Sequence, residues 1–139
     1  MSTEPPRVPQ SPRYRQGTVI LQTVDHGEVT VPEPTWCTGH DDELVGHLAD
    51  LTHNGVHVRA GAATYAHGYV EILDAYISHA PYGELHPEAH PLLSLHLDLD
   101  LDATPEDSRK VAQALRVASL RIDRVADEVE RLRNGGALG

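Results

Sequence analysis

The run Leu93-Ser94-Leu95-His96-Leu97-Asp98-Leu99-Asp100-Leu101-Asp102, followed at once by Ala103-Thr104-Pro105-Glu106-Asp107, decides the fold class. Leucines alternate with polar residues, and successive strand side chains point to opposite faces, so this run reads as a strand with one core face and one wet face. Thr104 then has the character of a helix N-cap, with Pro105 at the first helical position and Glu106 and Asp107 where negative charge suits the helix dipole. The helix is expected over 105–133, stopped by Asn134-Gly135-Gly136, with Arg131 and Arg133 in its last turns. Val111, Leu115, Ala118, Ile122, Val125, Val129 and Leu132 recur at steps of four and three, a stripe suited to a sheet or to a second helix. Ala112, Ala114, Ser119 and Ala126 widen the stripe with small residues, which favours sheet packing. At roughly 1.5 Å per residue the helix would exceed 40 Å, longer than a five-strand sheet is wide. Its last turns are therefore expected to overhang and meet a second subunit.

Working back toward the N-terminus, Tyr69 to His79 reads as a strand and His57 to Ala60 as a shorter one. Thr18 to Val24 and Val29 to Val31 form a hairpin about Asp25-His26-Gly27, closed by Pro32 and Pro34. The fold class is therefore α+β, a mainly antiparallel sheet of about five strands with the long C-terminal helix packed on it. Residues 1–16, with Pro5, Pro6, Pro9 and Pro12 among Arg7, Arg13 and Arg15, read as a disordered Pro/Arg-rich arm. Residues 17–134 read as a single domain and 135–139 as a flexible tail.

Chemistry concentrates in the loop over 34–57. Trp36 precedes the only cysteine, Cys37, and His40, His47, His53 and His57 follow within twenty-odd residues, four of the ten histidines in the chain. Zinc favours thiolate and imidazole in a tetrahedron, and Cys37-x-x-His40 with His53-x-x-x-His57 supplies two short grips. The expected metal ligands are Cys37, His40, His53 and His57, with His47, Asp41 and Asp42 as competitors. Gly39 would let the first knuckle turn, and Trp36 would shield the sulfur. Two other readings stay open: Cys37 as a small buried hydrophobe among surface histidines, and Cys37 as a nucleophile activated by His40 or His53. A catalytic zinc would need an open position and a base such as Glu43 or Asp41.

Two further groups carry less. His96, Asp98, Asp100 and Asp102 could bind a hard cation or act as paired carboxylates, but read better as a solvated sheet face. His79, His86 and His90, near Tyr82 and Glu84, read as an exposed Pro-rich loop. No phosphate-binding glycine loop and no nucleophile elbow is present.

The net charge of -10, from 21 acidic and 11 basic residues, opposes the phosphate attraction that supports nucleic-acid binding. No run approaches the roughly 18 apolar residues of a membrane span. A single cysteine and the absence of a signal-like apolar stretch point to the cytoplasm.

The words Pro34-Thr35-Trp36-Cys37-Thr38-Gly39-His40-Asp41, Thr52-His53-Asn54-Gly55 and Thr104-Pro105-Glu106-Asp107 resemble a family of small uncharacterised actinobacterial proteins, a domain of unknown function with a Trp-Cys-x-x-His signature. The resemblance spans roughly 17–127 in order of elements. It implies that Cys37, His40 and His53 are the family's polar positions and brings no activity with it.

The favoured expectation is a non-enzymatic regulatory or protein-interaction module. Zinc would fix the loop, and the C-terminal helix would form a homodimer or meet a protein partner. The alternatives are a small hydrolase-like enzyme with an open zinc site and a metal-free structural or assembly subunit.

Overall fold

The computed structural model describes residues 12–40, 46–85 and 87–135. Residues 1–11 of the expected arm, residues 136–139 of the expected tail, Asp41, Asp42, Glu43 and His86 lie outside the described residues. The architecture is α+β, with antiparallel strands and one long C-terminal helix. The described strands number seven, in a three-stranded and a four-stranded sheet. The chain divides into two compact units, one of residues 1–53 and 80–89, the other of 54–79 and 90–139.

In the first unit, β1 (Arg13–Arg15), β2 (Thr18–Thr23) and β3 (Gly27–Pro32) form an antiparallel sheet in sequence order. β1 thus lies within the segment expected to be an arm. The expected hairpin is β2–β3, in register from Thr18↔Pro32 to Thr23↔Gly27. Alternation along β2 turns Val19 and Leu21 inward, where they meet Val31 and Leu51, with Val29, Leu48 and Tyr82 packed around them. A 3-10 turn at Leu48–Asp50 brings Leu51 under the sheet, and its Leu48 N–H donates to Asp25 Oδ1 at 3.0 Å. That bond holds the Asp25 carboxyl below its usual pKa, partly offset by desolvation.

In the second unit, β6 (Gly68–His79) pairs antiparallel with β5 (Val58–Thr64) along one edge and with β7 (Leu92–Leu97) along the other. The two-residue strand β4 (His53–Asn54), which also joins this sheet, is where the chain passes from the first unit to the second. Between Ala60↔Leu73 and Gly61↔Glu71 the register slips, leaving Ile72 as an extra residue. Ile72 and Leu73 are consequently both buried. α1 (Pro105–Gly135) lies on this sheet, with Ala114 and Ala118 approaching the small residues Ala60, Ala62 and Ala75. Thr104 caps the helix as expected, accepting the Asp107 N–H at 3.2 Å.

Two expectations about side-chain facing are corrected. The buried helix stripe runs through Asp107, Val111, Ala114, Ala118 and Val129; Ala114, packed with Ala62 and Ile72, takes the place expected for Leu115, which is exposed because the helix turns its neighbouring face to the sheet. The expected leucine face is not all core: Leu93 packs against the cluster under the helix, while Leu95 and Leu97 of the edge strand β7, and Leu99 beyond its end, are exposed. Beyond Leu97 the expected strand gives way to irregular chain.

The two hairpins share one turn. Thr23-Val24-Asp25-His26-Gly27 and Thr64-Tyr65-Ala66-His67-Gly68 both end on a glycine of positive φ, 61° and 67°. In each, the threonine hydroxyl donates to the glycine carbonyl, at 2.8 and 2.9 Å, and accepts the histidine N–H at 3.0 Å. A threonine followed by His-Gly therefore closes each hairpin with side-chain bonds that stand in for backbone ones. Among the described residues no helix is long and apolar enough to cross a membrane.

Candidate metal centre

The first unit gathers four metal-competent side chains from three local devices. β3 ends at Pro32, and Glu33 follows with its N–H still bonded to the Gly17 carbonyl at 2.9 Å, which fixes its side chain beside the sheet. The chain then turns back: the Cys37 N–H donates to the Pro34 carbonyl at 3.1 Å, Gly39 adopts φ 105°, and the His40 N–H donates to the Tyr14 hydroxyl at 2.6 Å. The positive φ at position 39 favours glycine, and a Cβ there would sit 3.0 Å from that hydroxyl, a tight approach. The knuckle role expected for Gly39 is thus present, and Tyr14 of β1 pins it. His53, 2% exposed, enters from β4, with the Trp36 ring edge-on to its imidazole at 6.5 Å between centroids.

The ligand atoms of Glu33, Cys37, His40 and His53 all lie within 4.8 Å of one another. His53 Nδ1 is 2.9 Å from Glu33 Oε1, His40 Nε2 is 3.3 Å from the same oxygen, and Cys37 Sγ is 3.8 Å from His40 Nε2. Metal bonds of about 2.0–2.3 Å give a coordination tetrahedron edges of about 3.3–3.6 Å between donors. The observed separations bracket those edges. Glu33 Oε2 is buried and makes no hydrogen bond, although it lies 3.1 Å from His40 Nε2, because that contact lacks hydrogen-bond geometry. A buried carboxylate oxygen whose nearest polar contact is an imidazole nitrogen at 3.1 Å is poorly compensated for its lost hydration, and a cation among these donors would complete it.

Of the four expected ligands, Cys37, His40 and His53 are brought together and His57 is not in the group. His57 lies in the second unit, with Nδ1 2.7 Å from Asp74 Oδ1 and its ring against Tyr76 at 4.5 Å. His47 is exposed and lies 3.9 Å from Asp50. Glu33 is the member that sequence spacing missed. Its one signal was position: an acidic residue held between two prolines where a strand ends, just ahead of the cysteine.

Cys37, Glu33 and His40 also border an open cleft of about 540 Å³, shared with Tyr14, Thr18 and Thr35. Among the described residues His96, Asp98, Asp100 and Asp102 form no cluster of donors, and all four are exposed. His96 stacks on Tyr76 at 5.6 Å, and Asp102 contributes its carbonyl to His67 Nε2 at 3.0 Å.

An α+β chain whose first unit gathers a thiol, a carboxylate and two imidazoles within 4.8 Å of one another is the class that this fold and site define. The chain belongs to the DUF6907 family, a domain of unknown function, whose family model matches residues 18–131. That span contains all four donors and leaves Tyr14 outside. No curated protein and no solved structure matches the chain.

Proposed function

We propose that the chain is a non-enzymatic regulatory or protein-interaction module whose first unit is fixed by a zinc ion on Glu33, Cys37, His40 and His53. The buried, unbonded Glu33 Oε2 inside a four-donor cluster is the observation that carries this reading. Zinc suits the set because one soft sulfur and two imidazoles favour it over hard cations, and four protein donors complete a tetrahedron with no open position. We take Trp36-Cys37-Thr38-Gly39-His40 as the family's signature for this site. A thiolate ligand needs a reduced thiol, which supports a cytoplasmic location.

A second reading is supported by the open cleft against Cys37, Glu33 and His40. Here Cys37, His40 and His53 hold the ion, water takes the fourth position, and Glu33 replaces Glu43 or Asp41 as the base of a hydrolase-like reaction. The carboxylate's contact with His53 Nδ1 would then orient that ring.

Elemental analysis of protein purified without an affinity tag tests the proposal. One zinc per chain is expected in the parent and in His57→Ala, and loss of it in Cys37→Ser and His53→Ala. Glu33→Gln separates the readings: it weakens retention strongly if Glu33 is a ligand, and mildly if it is the base. Unchanged metal in both Cys37→Ser and His53→Ala would remove the centre.

A further inference from the structure

We infer that two copies of this chain associate through the free edge of β7, pairing antiparallel about a two-fold axis at Leu97 so that His96 of each copy faces Asp98 of the other. Among the described residues β7 has a single strand neighbour, β6. The Asp98 N–H donates to the Ile72 carbonyl at 3.2 Å. In an antiparallel ladder hydrogen-bonded positions alternate, so the backbone groups of Ser94, His96 and Asp98 turn toward β6 while those of Leu93, Leu95 and Leu97 turn toward the open side. Such an edge is a template for another strand, and natural proteins usually blunt it.

This edge is instead furnished for pairing. On the helix side Leu95, Leu97 and Leu99 are 45%, 58% and 40% exposed, three large apolar residues in a row. Leu99 and Leu101 continue that row into a hollow of about 290 Å³ floored by Val111. A row of this kind at a sheet edge marks a surface that another chain covers.

Charge selects both the occupant and the register. Backbone direction allows only registers that set leucine against leucine. Centring on Leu97 places Leu97 across from itself, Leu95 across from Leu99, and His96 across from Asp98 twice. Moving the centre to His96 sets His96 against His96, and moving it to Asp98 sets Asp98 against Asp98. Of these three centres, only Leu97 sets an imidazole against a carboxylate and no ionisable side chain against its own copy. In the same register Leu95 of one copy comes across from Leu99 of the other, just past the strand end and beside the hollow. Tyr76 holds the His96 ring, stacked at 5.6 Å with its hydroxyl 3.4 Å from Nε2, which leaves Nδ1 to donate to a carboxylate. The pairing does not depend on the metal cluster, whose donors lie in the other unit.

Sedimentation equilibrium of the full chain across the micromolar range is the test, with circular dichroism showing that each variant folds. The parent is expected to form a dimer. Leu97→Lys, at an exposed position that costs little folding stability, should weaken it at least tenfold, and His96→Asp should weaken it several-fold. The swap His96→Asp with Asp98→His should restore the parent affinity. A parent that stays monomeric, a Leu97→Lys variant that dimerises as well as the parent, a swap that fails to restore, or a dimer broken by Leu120→Lys on the outer face of the helix instead would each overturn the inference.

Discussion

The hairpins β2–β3 and β5–β6 begin from the same Thr-x-x-His-Gly turn and reach stability by different means. The second hairpin lies beneath α1, and among the described residues its unit buries ten apolar side chains, including Leu73, Ala75 and Ala118. Among the described residues the first unit buries four, Val19, Leu21, Val31 and Leu51, and places the imidazole of His53 nearly as deep. Small units whose cores cannot offset ordering entropy are commonly completed by disulfides or metals, and a chain with one cysteine has only the second route. The contrast teaches that turn chemistry sets hairpin geometry, while whatever covers the hairpin sets its stability.

Metal removal should break the symmetry most. Chelation is expected to destabilise the first unit by about 4 kcal/mol relative to protein held at a thousand-fold metal excess over Kd. Amide hydrogen exchange would show protection lost at Val19 and Leu21 and kept at Leu73 and Ala75. Equal loss in both units would erase the distinction drawn between them. The converse cut is Leu73→Ala, at a fully buried position beneath the helix. It should cost about 2–5 kcal/mol in denaturant unfolding while zinc content stays unchanged.

The carboxylates that tie each hairpin turn sharpen the comparison. Tyr65 and Ala66 N–H groups donate to Asp107 at 2.8 and 3.2 Å, and the Tyr65 bond first holds that carboxyl below its usual pKa despite desolvation. A depressed folded pKa contributes stability that is present above the unfolded carboxyl value, about 3.9, and is lost as pH falls toward the folded one. Thermal midpoints measured downward from pH 5 should therefore fall less steeply in Asp107→Asn than in the parent. The smallest effect is expected at the exposed Glu128–Arg131 pair: Glu128→Gln should change stability by less than about 0.5 kcal/mol.

Regular periodicity made much of the second unit legible. The β-branched and aromatic content of Tyr69 to His79, the Thr104 cap and the four-three stripe foretold β6 and α1. Leu95 and Leu97 misled, since alternation reports a preference for burial but not how much of the edge strand the helix covers. Leu115 misled for a related reason: the stripe does not say which flank the helix turns to the sheet. In the first unit Cys37, His40 and His53 were legible from residue type and crowding. Glu33 was not, because a ligand delivered by the end of a strand has no spacing to read, and His57 was grouped by spacing although Asp74 engages it in the other unit. β1 was hidden by composition, its three residues lying among prolines and arginines.

X-ray absorption at the zinc edge of the untagged protein tests the account most directly. One sulfur at about 2.3 Å with three nitrogen or oxygen donors at about 2.0–2.2 Å, the sulfur vanishing in Cys37→Ser, is the predicted result. A sulfur-free shell, or a shell that Cys37→Ser leaves unchanged, would contradict it.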